Sequence, residues 1–345
     1  MLIVPVLMHR RFMNLAKLSL SLGLIWFSFS RIDSAQALAL LRTLRPAVVV
    51  PVIALLMIQH ALGGLRFHQL MGEMKTPISL RAAVDNYFAG LFFGQIFLSF
   101  IGGDAVRIWR LVNGALPAKE AFKAVLFDRV LGFISVIALI ALCLPLLFGI
   151  VTSQEMRIGL LLSVGIGALA TLVFLFMHRL PQTLLRLKIF RFAADISMMA
   201  LSISGRRLAM AKLFGLSLVI HIMNVGAIFL IARGLGVTVG FMDYLALVPP
   251  VMLLAILPIS FAGWGVREGS MLLALGLVGI GPEQSVAISI CFGLCLLASS
   301  LPGAWGWLKQ RKSERIRANG QDTVGGEGSI VFTGATCGVE RRSPP

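Results

Sequence analysis

Charge is scarce in this sequence. Only 13% of its 345 residues are Asp, Glu, Lys or Arg, where ordinary soluble domains carry about 25%. So few ionic groups cannot cover a water-facing surface. Lipid is the other solvent on offer, and there apolar side chains point outward. Acidic residues are the scarcer sign, 15 against 31 basic ones, for a formal net charge of +16. The basic residues fall mostly between apolar runs, as they do in the cytoplasmic loops of membrane proteins. They form no stripe interleaved with aromatics, which argues against a nucleic-acid partner.

Soluble chemistry is missing too. The sequence has no Walker A, no G-x-G-x-x-G after a strand pattern, no H-E-x-x-H and no G-x-S-x-G. An ATP-driven pump with its own motor is therefore not expected, nor any catalytic residue or cofactor. Cys143, Cys291, Cys295 and Cys337 form no C-x-x-C. Cys291 and Cys295 share a helix face at i, i+4. With no His or acid beside them, packing is favoured over a metal site, and no metal is expected.

Long apolar runs are what the sequence does have. A spanning helix needs about 20 apolar residues. Residues 47–65, 130–153, 158–177, 213–232 and 284–308 are long enough. Residues 18–30 are short and span only if Lys17 and Arg31 snorkel. No small-residue cleavage site of the usual kind follows them clearly, so they read as a retained first span. Two further regions look broken or re-entrant. Residues 86–103 are apolar but end in Gly102-Gly103-Asp104. Residues 244–266 hold Pro249, Pro250 and Pro258, then Gly263 and Gly265. The charge-free stretch that follows, residues 269–282, is too short for an ordinary perpendicular span.

Loop charge sets the expected topology. If residues 86–103 enter and return on one side, the loop with Arg107, Arg110, Lys119 and Lys123 falls inside. The run from Arg179 to Lys212 and the basic tail then fall inside as well. The expected fold is an all-α polytopic membrane protein. It has six to eight transmembrane helices plus re-entrant or broken helices, and both termini are cytoplasmic. The transmembrane domain covers residues 1–310. Residues 311–345 are poor in apolar side chains and read as a disordered tail. The basic, partly amphipathic stretch 178–212 is either a helix on the inner leaflet or a plain connector.

One pattern occurs twice. Ser99-Phe100-Ile101-Gly102-Gly103-Asp104-Ala105-Val106-Arg107 matches Ser260-Phe261-Ala262-Gly263-Trp264-Gly265-Val266-Arg267 as Ser-Phe-x-Gly followed by Val-Arg. Three expected spans separate the copies, so the second approaches from the opposite side. That is an inverted repeat, and in transporters the helix breaks of such repeats mark the binding site. Chance similarity in a low-complexity membrane sequence is the plainer alternative.

Asp85, Asp104, Arg107, Asp128, Arg129, Arg267 and Glu268 gather around these breaks. A charge at the bilayer centre costs about 2.5–3.5 kcal/mol on insertion scales. These groups must pair, face a polar cavity or sit at the interface. Asp128-Arg129 opens a long span, either as an interfacial anchor or as a cavity pair. Asp104 either caps a helix or meets a cationic group. An arginine fork such as Arg267 suits phosphate. His60 and His221 lie in apolar runs, with Asn224 one turn from His221. A buried, hydrogen-bonded pair is favoured there over a proton relay. Gly90-x-x-x-Gly94 allows close helix packing.

Residues 97–110, Asp128-Arg129, and Leu257-Pro258 through Gly263, Gly265, Val266, Arg267 and Glu268 together resemble the lysylphosphatidylglycerol synthase transmembrane (flippase-like) family. The resemblance covers roughly residues 10–310. It implies a bacterial inner-membrane protein that moves a phosphate-bearing or aminoacylated lipid between leaflets. Lipid-pathway enzymes are possible partners. The soluble aminoacyl-transferase domain of the two-part members has no counterpart here, so lipid aminoacylation is not implied. The implied substrate-binding set is Gly102, Gly103, Asp104, Arg107, Asp128, Arg129, Gly263, Gly265, Arg267 and Glu268. The arginines attract phosphate and the acids balance them. A membrane-embedded enzyme, with Asp104 and Asp128 as its acid/base or metal-binding pair, and an accessory protein in lipid-linked glycan or hopanoid metabolism are the rival expectations.

Overall fold

The computed structural model describes residue 39 and residues 45–96, 100–256, 264–306 and 308. In chain order its helices are α1 (Pro46–Glu73), α2 (Leu80–Ile96), α3 (Phe100–Asn113), α4 (Ala118–Ile150), α5 (Gln154–Phe176), α6 (Gln182–Leu185), α7 (Lys188–Ser204), α8 (Arg207–Gly234), α9 (Phe241–Ile256), α10 (Val266–Gly276) and α11 (Pro282–Ser300). A 3-10 turn, Met177–Arg179, follows α5. Among the described residues there is no strand.

Five of these helices, α1, α4, α5, α8 and α11, are long and apolar enough to cross a bilayer. They correspond to five of the six spans read from the apolar runs. The sixth, residues 18–30, lies outside the described residues, as does the tail 311–345. Two spans are longer than their charge-free cores. α1 continues past Arg66 to Glu73. α4 begins at Ala118, just after Pro117. Proline has no N–H to give a helix interior and suits a helix start. Glu120 then sits in the first turn, where a negative charge is favourable. Ala121, Ala124, Val125, Phe127 and Leu131 bury one face of that early stretch.

The two regions expected to be re-entrant are hairpins. Gly103 of α3 lies against the Gly90 carbonyl and Gly94 of α2. In one continuous helix, residues 90 and 103 would stand about 20 Å apart. The segment must therefore fold back on itself. A Cβ on Gly103 would strike the Gly90 carbonyl, so only glycine permits this approach. α9 and α10 form the second hairpin, with Tyr244, Val248 and Val251 in one apolar cluster with Met271 and Leu275. Pro249 and Pro250 do not break α9, which runs through both and ends at Ile256.

The element order repeats as long helix, hairpin, long helix. α1, α2–α3 and α4 make the first copy, and α8, α9–α10 and α11 the second. α1 and α8 are both 28 residues long. α8 starts at 207 against 46 for α1, and α9 at 241 against 80 for α2, so both differences are 161. The Ser-Phe-x-Gly motifs, at 99 and 260, differ by the same 161. That agreement argues against chance similarity.

The copies are inverted. Gly234 meets Val48, Gly226 meets Leu55, and Ser217 bonds Arg66. One index falls as the other rises, so the equivalent helices α1 and α8 pack antiparallel. This is the arrangement of repeats related by an axis in the membrane plane.

α5 stands apart from this core. Only 6% of its apolar window is buried, against 33% or more in the other four spans. Leu161, Leu162, Ile166, Leu169 and Val173 face outward along it. The basic stretch 178–212 contains α7. Its Ile196, Ala200 and Ile203 close an apolar cluster with Phe67 and Leu70 of α1, Ala121 of α4 and Leu213 of α8.

Candidate functional site

The deepest polar centre is built on Asp128 of α4, which is 2% exposed. Arg66 of α1 places Nε at 3.0 Å and Nη2 at 2.8 Å from Asp128 Oδ1. Arg107 of α3 donates from Nη1 to Oδ2 at 3.0 Å. Arg66 Nη1 also donates to Ser217 Oγ of α8 at 2.8 Å. A buried ion loses several kcal/mol of hydration, which only good pairing offsets. Here one carboxylate faces two guanidinium groups.

The first hairpin holds Arg107 in place. Its Nε donates to Asn86 Oδ1 at 3.2 Å, and Asn86 Nδ2 donates back to the Arg107 carbonyl at 2.9 Å. The guanidinium carbon sits 4.5 Å from the Phe67 ring centre and 5.1 Å from that of Tyr87. Both contacts favour a cation. Gly90 leaves room for the stem, because a Cβ there would come within 2.6 Å of Arg107 Cγ. One atom remains unserved. Arg107 Nη2 is buried with no hydrogen-bond partner.

Asp104 and Arg129 extend this cluster outward. Arg129 Nε and Nη2 both reach Asp104 at 2.9 Å, and Arg107 Nη1 lies 3.8 Å from Asp104. The Arg129 side chain is 41% exposed, so this pair is less enclosed by protein than the one at Asp128. Together the cluster counts three arginines against two carboxylates, an excess of positive charge.

The second centre stands at the start of α10. Gly265 has φ +85°, a left-handed conformation that suits glycine. Its N–H donates to Glu268 Oε2 at 2.6 Å. Glu268 Oε1 accepts from Arg267 Nη2 at 2.7 Å and from Ser289 Oγ of α11 at 3.0 Å. The Arg267 guanidinium lies 4.7 Å from the Trp264 ring centre, and a Cβ on Gly293 would overlap it. Arg267 and Glu268 are 7% and 2% exposed.

The expected site residues thus fall into two clusters. Asp104, Arg107, Asp128 and Arg129 belong to the first. Gly265, Arg267 and Glu268 belong to the second. Gly102 and Gly103 lie inside α3, Gly103 at the hairpin contact. Gly263 lies outside the described residues. Two expectations need correction. Asp128-Arg129 does not open a span, because α4 starts at Ala118 and the pair is well inside it. Asp104 does not cap a helix, because α3 already starts at Phe100 and the carboxylate is turned to Arg129. Within each cluster the arginines and carboxylates bond one another, with Arg107 Nη2 left over. Grooves of about 410 and 420 Å³ lie around Glu73 and Arg206, which pair at 2.8 Å.

Arg66, Asn86, Ser217 and Ser289 were not expected in these clusters. Arg66 had a readable signal. The apolar spacing continues beyond it through Phe67, Leu70 and Met71, all fully buried. His221 and Asn224 are buried but do not bond each other. His221 Nε2 donates to the Gly132 carbonyl at 3.0 Å, and Asn224 Nδ2 donates to the Ile220 carbonyl at 3.2 Å.

Comparison with known proteins adds one finding. The family model described as the lysylphosphatidylglycerol synthase TM region matches residues 14–303. No curated protein and no solved structure matches the chain.

Proposed function

Because this chain belongs to the lysylphosphatidylglycerol synthase transmembrane family, a multi-pass family of lipid metabolism or transport, we propose that it moves an anionic or aminoacylated phospholipid headgroup between the leaflets of the bacterial inner membrane. The observation that carries this reading is the buried, unpartnered Nη2 of Arg107 beside a carboxylate already shared with Arg66. A buried N–H with no acceptor, in a cluster of three arginines and two carboxylates, fits a phosphate oxygen. The inverted repeat supplies the second half of the reading. Rocking one copy against the other exposes a midplane site to each side in turn. The acyl chains remain in lipid while the headgroup passes.

The end of the bundle that carries Lys75, Lys119, Lys123, Arg206 and Arg207 is the cytoplasmic one in this reading. The carboxylates hold the arginines in place and do no acid–base chemistry. Asp128 is held by two arginines and Asp104 by Arg129. With both acids engaged in this way, the chain acts in this reading as a translocase.

Proteoliposomes carrying a fluorescent phosphatidylglycerol and a membrane-impermeant quencher test this. Arg107→Gln is expected to slow leaflet transfer about tenfold or more, the worth of a charged hydrogen bond. Arg107→Lys keeps the charge but loses the fork, and should fall between. Equal transfer by wild type and both variants would overturn the assignment.

A further inference from the structure

His60 and His221 are counterparts in the inverted repeat. Their numbers differ by 161, the spacing that relates α1 to α8 and the two Ser-Phe-x-Gly motifs. The antiparallel contacts put them level with each other. Val48 meets Gly234, Leu55 meets Gly226 and Arg66 meets Ser217. His60 opposite His221 continues that register, at the middle of both helices. Each ring also reaches the closing long helix of the other repeat. His60 Nε2 lies 2.9 Å from Ser299 Oγ on α11, and His221 Nε2 lies 3.0 Å from the Gly132 carbonyl on α4.

The bonding fixes the same tautomer on both rings. A carbonyl only accepts, so His221 carries its proton on Nε2. The Ser299 hydroxyl donates to the Leu296 carbonyl at 2.9 Å, so its oxygen accepts from His60 Nε2. Both Nδ1 atoms are left as bare lone pairs. Both are buried without a partner, on side chains 2% and 7% exposed. A single orphaned nitrogen in a membrane core is a curiosity of packing. Two at equivalent positions of a repeat, each at the middle of a long apolar helix, are bare lone pairs able to take a proton.

We propose that His60 and His221 form a proton-binding pair whose loading is coupled to the headgroup anion at the Asp128 cluster. This rests on reading that cluster as an anion site. The link runs through two short steps. Ser217, which bonds Arg66, stands one turn before His221 on α8. Gly132 stands one turn after Asp128 on α4. The charged group facing His221 is Arg66 of α1, whose Nη1 lies 3.8 Å from a Cβ placed on Gly132; Asp128 stands behind it as the partner of Arg66. His60 faces Ser299 and the Phe88 ring of α2, with the Tyr87 phenol one turn along over Gly63. The thiols of Cys291 and Cys295 lie in the apolar cluster on α11. A proton arriving from water binds Nδ1 and breaks no existing bond, since both Nε2–H groups keep their acceptors. On His221 the imidazolium then adds a positive charge beside Arg66. An anion bound at Arg107 offsets that charge, so proton and anion favour each other's binding. By linkage the effect is reciprocal. A proton gradient would then drive the lipid in one direction.

Purified protein in weakly buffered detergent provides the test, with short-chain phosphatidylglycerol as the probe and short-chain phosphatidylcholine as the zwitterionic control. The expected result is proton uptake on adding the anionic lipid, read by a pH dye, and none with the control. His60→Gln/His221→Gln keeps an amide donor for Ser299 and Gly132, and should lose the uptake while eluting as wild type does. Uptake that persists in this variant, or is absent in wild type, overturns the inference. A leaflet-transfer assay at symmetric pH separates this result from the transport reading. Transfer without proton uptake sinks the coupling alone, and proton uptake without transfer sinks the transport reading alone.

Discussion

Arg107 in the first hairpin and Arg267 in the second occupy similar seats but keep different company. Each guanidinium lies over aromatic rings, in space that a glycine on a neighbouring helix leaves open, Gly90 in one case and Gly293 in the other. Arg267 is answered by its own neighbour in sequence, Glu268, and by Ser289. That cluster is electrically balanced and draws mainly on one turn of α10. Arg107 instead shares Asp128 with Arg66, so its cluster ties α1, α3 and α4 together with positive charge to spare. The repeat preserved the shape of the seat while its charge diverged. One half carries an excess of buried arginine, and in the other the arginine and the carboxylate answer each other one to one.

The sharpest way to break that contrast is to remove the shared acid. Asp128→Asn leaves buried Arg66 without a carboxylate and Arg107 with only the 3.8 Å contact to Asp104, and should lower stability by about 3–5 kcal/mol. Thermal unfolding of the detergent-purified protein reads the loss. Glu268→Gln should cost less, about 1–3 kcal/mol. Its amide oxygen can still accept from the Gly265 N–H, and only one arginine loses its partner. A larger loss for Glu268→Gln than for Asp128→Asn would reverse the proposed ranking. The smallest effect is expected at Arg129→Ala. That ion pair is 41% exposed on the arginine side, and such pairs contribute about 0–1 kcal/mol. Unfolding shifted by much more than this would mean that Asp104 and Arg129 belong to the buried centre.

The spans were legible because apolar runs of bilayer length have few other uses. Their ends were harder to read. Charge-free counting stopped α1 at Arg66 and began α4 near Val130, although both helices run on through charged turns. A helix does not end where a charge appears if a partner from another helix meets that charge. Such partners are distant in sequence. Arg66 and Asp128 are 62 residues apart, and Arg66 and Ser217 are 151 apart. For the same reason Asn86 and Ser289 gave no local sign of their roles. The hairpins were legible from glycine and from the short stretch near Gly269. The prolines misled as markers, because α9 passes through Pro249 and Pro250 unbroken.

The sparsely packed α5 has one further consequence. Between α4 and α8 the polypeptide must reach the far side of the bilayer, and α7 does not qualify as a crossing helix. That leaves α5 to decide which way up the second copy is threaded. Shorten it so that it no longer traverses, and α8 would enter from the same face as α1, head beside head. The partnership of opposites on which both histidines depend could not assemble. A rod that touches little of the machine nonetheless sets its orientation, by being an odd number.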